Sequence, residues 1–375
     1  MVLHYIIMPL LFVLTAILVA WASIRSIVLL RAKNFGVLRK RAVITVLSLL
    51  FLGALFIAGS SAFTVGDFIR FRHARPGRLY EVNGHKMRMD CTGSGSPTIV
   101  LDAGLGNDGL IWGGVQPALA TATRVCSYDR AGTGWSNSVS SPRDANHIAE
   151  QLHDLLAVAT VSGPIVLMGH SIAGIYIRDY ATHYPADVAG LVFLDGSTPL
   201  QEDDPAFLAH ERIHFPSPLQ LMLVEASFSA GIPRWLGACS HPPVWPDRHA
   251  AWMMVEDRCY PGFAESLGES QNMDRSGDET VHTGPYGCLP ILIFSHDPSK
   301  ARAMHLQGDV EDAWGRMQQN LLKLSTRSRR IIAQGSGHYV QLDRPELIEQ
   351  QVILFIQQIR GTAPQPTNYG STVAE

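Results

Sequence analysis

Residues Gly163–Gly174 read Gly-Pro-Ile-Val-Leu-Met-Gly-His-Ser-Ile-Ala-Gly. A short apolar run, Ile165–Met168, ends in the small residue Gly169; a helical pattern follows Ser171 as far as Tyr184, where Pro185 stops it. Strand, sharp turn and helix form the context of a nucleophile elbow. Such a turn brings two backbone segments close together, so small residues must flank the serine. It lifts the serine oxygen clear of the sheet and aims the N–H groups of the new helix at it. The pattern G-x-S-x-G is met except at its last position, where Ala173 stands beside Gly174. Read alone, the stretch equally suits a serine that only caps a helix.

Working outward, the flanking chain alternates strand and helix. Arg78–Met89 reads as a hairpin turning at Asn83-Gly84. Thr98–Asp102 and Arg124–Asp129 read as strands, Ile148–Val158 as an amphipathic helix, and Leu191–Asp195 as another strand. Ile291–Phe294 and Arg330–Ala333 read as further strands, and Pro345 opens a last helix ending near Ile359. Alternation of this kind implies a mostly parallel sheet with helices on both faces. It breaks at about Pro199 and resumes near Pro290. The insert holds Phe215, Leu221, Met222, Phe228, Trp235, Trp252, Met253 and Met254. That apolar content predicts a packed cap, whose side chains either form its own core or line an acyl pocket.

The front of the chain differs. Tyr5–Ile24 and Ala42–Gly66 carry no charged residue. Each is long enough to cross the ~30 Å hydrocarbon layer as a helix, and neither has the polar face of a core helix. Arg25, Arg31, Lys33, Arg39, Lys40 and Arg41 lie between them; Arg70, Arg72, Arg75 and Arg78 follow. Basic short loops stay cytoplasmic. The charge difference therefore predicts a two-helix membrane hairpin with the large domain on the extracytoplasmic side.

The domain plan is thus 1–70 membrane region, 78–198 with 289–360 as the α/β core, 199–288 as cap, and 361–375 as a flexible tail. Over 375 residues the formal net charge is −3, which offers nothing to a nucleic acid. No protein partner is indicated. Of five cysteines, Cys91 and Cys126 lie in strand-like runs and read as buried small hydrophobes. Two of Cys239, Cys259 and Cys288 could pair if their region is extracytoplasmic.

A serine hydroxyl needs a base within hydrogen-bond reach, and the base needs a third group to orient it. Reacting groups gather at the carboxyl ends of strands in an open parallel sheet. Ser171, an aspartate (Asp195 or Asp297) and His338 stand at such ends, in the order Ser, Asp, His. His296 also follows a strand, but without the glycine-flanked turn of Gly335-Ser-Gly-His338. His170 fills the variable position of the elbow and reads as packed beneath it.

From Arg78 to Ile359 the chain resembles an alpha/beta-hydrolase of the ester-hydrolase type with a cap. The resemblance rests on Asp102-Ala-Gly-Leu-Gly106, Tyr128-Asp-Arg-Ala-Gly-Thr-Gly-Trp-Ser136, Gly169-His-Ser-Ile-Ala-Gly174 and Ser336-Gly-His-Tyr-Val-Gln-Leu-Asp-Arg-Pro345, in the family's order. Departures are Ala173 at the elbow and Ala103-Gly104 where many relatives have His-Gly. The resemblance implies a nucleophile Ser171, a base His338, an orienting acid Asp297 rather than Asp195, and an oxyanion hole from the backbone N–H groups of Leu105 and Ile172. It implies a small-molecule ester substrate with neither cofactor nor metal. The same constellation serves thioesters, amides, carbon–carbon cleavage, acyl transfer and cofactor-free peroxidation, and a silent membrane-tethered binding protein could reuse the fold.

A rival motif is Gly104-Leu-Gly-Asn-Asp-Gly109, which spells G-x-G-x-x-G after a strand, with Asp129 about 20 residues on. A dinucleotide site needs a helix to open there. Trp112-Gly113-Gly114 and Pro117 instead predict that none starts until well past Gly109. No H-e-x-x-H-like spacing of metal ligands appears.

Overall fold

The computed structural model describes residues 2–32, 36–199, 201, 203–210, 217–237, 263–303, 308–362 and 370–374. They divide between two compact units.

The first unit holds the helices α1 (Val2–Ala32) and α2 (Val37–His73) with residues 217–237 of the insert. Both helices are long and apolar enough to cross a membrane.

The second unit carries a nine-stranded sheet. Its strands are β1 (Arg78–Val82), β2 (His85–Thr92), β3 (Thr98–Asp102), β4 (Val125–Tyr128), β5 (Ile165–His170), β6 (Val188–Leu194), β7 (Ile291–Ser295), β8 (Ser328–Ala333) and β9 (Gly370–Ala374). The order is β1-β2-β4-β3-β5-β6-β7-β8-β9. β1–β2 and β2–β4 pair antiparallel; every other pair is parallel. The hairpin turns at Asn83 and Gly84, both at positive φ (47° and 81°), as a two-residue turn between right-twisted strands requires. β3, β5 and β7 are buried throughout, because helices cover both faces. The remaining longer helices are α3 (Ala145–Val158), α4 (Ala173–His183), α5 (Pro218–Ser229), α6 (Phe263–Gln271), α7 (Met273–Thr280), α8 (Gly308–Asn320) and α9 (Pro345–Arg360). α5 belongs to the first unit and α6 and α7 to the second.

Three expectations change. The insert expected as one cap divides: residues 217–237 belong with the N-terminal helices. Leu221, Met222, Phe228 and Trp235 therefore lie in that unit, while Phe215, Trp252, Met253 and Met254 lie outside the described residues. The tail is not wholly free, because Gly370–Ala374 adds to β8 in parallel and satisfies the backbone of what would otherwise be an edge. Cys91 and Cys126 are not separate small hydrophobes. They stand opposite each other in the β2–β4 pair and form a disulfide. Cys288 is an exposed free thiol, and Cys239 and Cys259 lie outside the described residues.

The sheet places the site. β3 neighbours β4 on one side and β5 on the other, so the connections leave in opposite directions at β3/β5. The crevice beyond the carboxyl ends of strands at such a switch point is where ligands bind in open α/β sheets.

Candidate active site

Ser171 follows β5 directly and has φ +56°, a left-handed conformation that a non-glycine residue rarely adopts. The turn is held by close backbone packing. A Cβ on Gly169 would lie 2.9 Å from the carbonyl oxygen of Ala173, and one on Gly174 would lie 3.0 Å from Gly196 Cα and Ser197 O. The demand for a missing side chain thus falls on Gly169 and Gly174. Ala173, the departure from the letter pattern, is fully buried without such a demand.

The hydroxyl meets its base. His338, in the turn after β8, has Nε2 2.9 Å from Ser171 Oγ and Nδ1 2.6 Å from Asp195 Oδ2. Nδ1 donates to the carboxylate, which leaves Nε2 free to accept the serine proton. The imidazole is 40% exposed, so a substrate can reach it; Asp195 is fully buried.

Asp297, expected to orient His338, does not. It accepts from the backbone N–H and hydroxyl of Ser299 and from the N–H of Gly335. It caps the short helix Pro298–Ala303 and ties that turn to the β8 turn. Burial alone would raise its carboxyl, but the bonds from Gly335 and Ser299 outweigh this and lower it. Asp195, at φ +46° immediately after β6, holds the place beside His338 instead.

Asp195 has further partners that sequence reasoning missed. It accepts from the His296 backbone N–H, from His296 Nδ1 (2.7 Å) and from Trp314 Nε1 (2.9 Å). His296 Nε2 lies 2.9 and 3.1 Å from the two oxygens of Glu311. Burial pulls the His296 imidazole down, but hydrogen bonds to Asp195 and Glu311 outweigh it and push it up to about 10. Near neutral pH His296 is therefore an imidazolium donating from both nitrogens. Burial would raise Asp195, yet the bonds from His296 and His338 hold it far below the usual carboxylate range. The only sequence signal was spacing: Glu311 and Trp314 are three apart on α8 and share a face.

His170 is buried beneath the turn, with Nε2 3.0 Å from the His338 carbonyl oxygen. Desolvation, then the charge of His338, lowers it to about 3, so it stays neutral and donates from Nε2. A Cβ on Gly104 would lie 2.6 Å from His170 Nδ1 and 3.3 Å from Ser171 Cβ. The structure therefore brings the Gly104–Leu105 turn against Ser171. Ile172 is the N-cap of α4, so its N–H has no partner in the helix ladder.

That turn is clamped from below. Arg130 donates to Asp102 and to the carbonyl oxygens of Ala103 (2.5 Å) and Gly104 (2.9 Å). Its other donors meet both oxygens of Glu269 on α6, which also accepts from Arg143. The rival motif is spent on the same framework. Gly109 N donates to Asp129, whose carboxylate also accepts from Arg88 and from Trp135 N. Gly109–Trp112 is one 3-10 turn rather than an opening helix. Among the described residues no His, Cys, Asp and Glu group could hold a metal ion.

Comparison with known proteins bears on the family and the fold. A family model described as "Alpha/beta hydrolase family" matches residues 99–351, more than half of the chain. An uncharacterized protein of Schizosaccharomyces pombe is 33% identical over 231 residues, which are 61% of this chain and 40% of that protein. The chain thus spans well under two thirds of that relative. An esterase from Thermogutta terrifontis aligns with a TM-score of 0.51 at 18% identity, covering 76% of this chain and 99% of that one. An epoxide hydrolase from an endophytic Streptomyces aligns with a TM-score of 0.56 at 16% identity, covering 79% and 98%. At such identities these two structures speak for the fold alone.

Proposed function

The chain belongs to the alpha/beta hydrolase family, and on that premise we propose that it is a membrane-anchored serine hydrolase that cleaves a carboxylic ester. The observation that carries this is the 2.9 Å contact between Ser171 Oγ, raised on its positive-φ turn, and His338 Nε2. Ser171 passes its proton to His338 Nε2 while Oγ attacks the acyl carbon. The N–H groups of Ile172 and Leu105 receive the developing oxyanion; such a donor is worth about 3 kcal/mol to the barrier. The tetrahedral species collapses, the leaving alcohol oxygen takes the proton from Nε2, and an acyl-enzyme remains. Water then gives its proton to His338 and attacks the same carbon; the acid departs and Ser171 regains its proton. Asp195 holds the imidazole in its tautomer and stabilises the imidazolium.

Nucleophile chemistry favours an acyl substrate over an epoxide. Attack by serine at a saturated carbon leaves an ether, which water activated by histidine does not cleave. Attack at a carbonyl leaves an ester, which it does.

α1 and α2 serve as the anchor. A core helix of a soluble protein is buried, whereas the most apolar window of α2 is 0% buried. The Cys91–Cys126 disulfide supports an oxidising compartment for the hydrolase unit. With the basic loop between the helices, it favours the extracytoplasmic side.

The test is labelling with a fluorophosphonate, then turnover of esters of varied acyl length. Wild type labels and turns over; Ser171→Ala does neither while remaining folded. Undiminished labelling of Ser171→Ala, or a wild type inert to probe and panel alike, sinks the serine mechanism. The inert outcome would favour a silent binding protein.

A further inference from the structure

We propose that the insert segment Ser217–Leu236 is a third membrane-seated element, a re-entrant helix whose exposed face contacts phospholipid acyl chains. The proposal rests on the membrane-anchored reading of α1 and α2.

The helix α5 has sequence Pro-Leu-Gln-Leu-Met-Leu-Val-Glu-Ala-Ser-Phe-Ser, with Glu225 its one charged residue. It is locally specified. Ser217 Oγ accepts from Gln220 N, Gln220 Oε1 accepts from Ser217 N, and Pro218 sits in the first turn. Twelve residues make a helix of about 18 Å, too short to span the apolar layer. An apolar helix of that length is a core helix, a re-entrant segment or an interfacial one. A core helix would be buried, yet Leu219 and Leu223 are 60% and 58% exposed, and Met222, Val224, Ile232, Trp235 and Leu236 are exposed as well. An interfacial helix has a strongly charged face, which α5 lacks. The re-entrant solution remains.

Non-helical backbone at membrane depth must be satisfied by protein, and α2 does this. The chain leaves α5 at Gly231, in a left-handed turn (φ +75°). A Cβ there would lie 2.7 Å from both Ser60 Oγ and Thr64 Oγ1. Ser60 Oγ donates to the Ala230 carbonyl oxygen at 2.5 Å and accepts from Trp235 Nε1 at 2.7 Å. Trp235 also packs on Phe56, with ring centroids 5.3 Å apart, and Arg234 pairs with Asp67. Ser60, Ser61, Thr64 and Asp67 are the buried polar residues of α2; the insert partners Ser60 and Asp67, and Thr64 Oγ1 donates to Ser60 O beneath Gly231.

Their position sets the depth. The uncharged stretch of α2 ends at Gly66, and Ser60 lies six residues earlier, about 9 Å inside that boundary. α5 packs against α1 and α2, whose outward apolar residues read as lipid-facing, so acyl chains are the occupant that fits its exposed leucines.

The test uses the full chain with Cys239, Cys259 and Cys288 replaced by serine. Leu219→Cys, Leu223→Cys and, on α2, Leu50→Cys are each labelled with a nitrobenzoxadiazole dye and reconstituted in phosphatidylcholine vesicles. Retained fluorophosphonate labelling shows that each variant is folded. All three dyes should lose most of their emission to lipids carrying an acyl-chain nitroxide and little to aqueous iodide. Iodide quenching at 219 and 223, with position 50 still quenched from the lipid, overturns the proposal and leaves the anchor standing. Protection from both quenchers at 219 and 223 puts another protein surface there and also overturns it. Iodide quenching at position 50 removes the anchor and the proposal with it.

Discussion

His338 turns its Nδ1 to Asp195 just past the strand before the insert, 2.6 Å away, and not to Asp297 just past the strand after it. The two aspartates therefore differ in what their loss should do. Asp195→Asn leaves no carboxylate to fix the tautomer of His338, and kcat should fall by about 10³–10⁴-fold with a smaller change in KM. Asp297→Ala removes a helix cap and should cost about 1 kcal/mol of stability with kcat near wild type. Steady-state kinetics and thermal melts of both variants decide the matter. A dead Asp297→Ala beside an active Asp195→Asn would exchange the roles.

His296 lies between Asp195 and Glu311, so the cluster facing His338 holds two carboxylates and one imidazolium. Removing the cation with His296→Gln makes that cluster more negative and favours protonated His338. The acid limb of the kcat/KM profile should then move to higher pH. Glu311→Gln should move it down. Opposite shifts are not what a loss of packing produces. Shifts of the same sign in both variants would refute an electrostatic role.

The difference between the two aspartates shows where sequence reading stops. The strand segments and the Ser, Asp, His order along the chain were legible because periodicity and glycine-flanked turns are local. The β5 run and the Gly335–His338 turn needed nothing from elsewhere in the chain. Which aspartate meets His338 is a tertiary fact. It depends on the positive φ of Asp195 and on partners 101 and 119 residues away, His296 and Trp314. One local signal did bear on Asp297: the dipeptide Asp297-Pro298 reads as a helix cap with proline in the first turn. The Cys91–Cys126 bond was likewise hidden, since β2 and β4 become neighbours only in the sheet. The docking of 217–237 with α2 lay beyond reach for the same reason. Ser60, Thr64 and Asp67 are seen to be buried only in the fold, where the insert covers them.

The disulfide closes 35 residues of chain. Cross-linking a loop of that length stabilises by about 3–4 kcal/mol in the chain-entropy model. Cys91→Ala with Cys126→Ala should lower stability by that order while sparing kcat at temperatures where the variant is folded. Mapping of unreduced peptides should show Cys91 joined to Cys126 and Cys288 open to alkylation. Alkylated Cys91 in freshly isolated protein would remove the bond, and with it the argument for an oxidising compartment.

Glu269 joins α6 to the turn beside Ser171 through Arg130, and both groups are buried. Glu269→Gln leaves Arg130 and Arg143 without their shared carboxylate. Breaking a buried pair from one side costs about 3–5 kcal/mol. Arg130 would also hold the Ala103 and Gly104 carbonyls less firmly, so kcat should fall more than KM rises. Urea unfolding and kinetics on the same preparation test this. A variant with unchanged midpoint and kcat would show that the clamp is dispensable.

Stability against pH should carry the signatures of two buried histidines and one buried aspartate. His296 is raised to about 10 in the folded chain, from an ordinary value of about 6.5. Its contribution is complete below about 6.5 and is lost as pH rises through 10. His170 is lowered to about 3. Its contribution is complete above about 6.5 and is lost as pH falls toward 3, because the unfolded chain takes up a proton that the folded chain refuses. Asp195, also lowered, adds to the acid limb only below about pH 4. Asp179, raised to about 6 by burial, opposes His170 over much of the same window: its contribution is complete below about 3.8 and is lost as pH rises through 6. The interval from about pH 6.5 to 10 isolates His296. Thermal midpoints should fall as pH rises from near 6.5 toward 10, while His170 and Asp179 offset each other between about pH 4 and 6. His296→Gln should flatten the alkaline limb alone, since its amide does not titrate. His170→Gln, which keeps an N–H for the His338 carbonyl, should leave Asp179 unopposed, so that the variant's midpoint gains on that of the wild type as pH falls from 6 toward 4, with the alkaline limb unchanged. A wild-type midpoint that holds constant from pH 7 to 10 would show that His296 is not a cation held between two carboxylates, and the charge balance assigned to the site would fall with it.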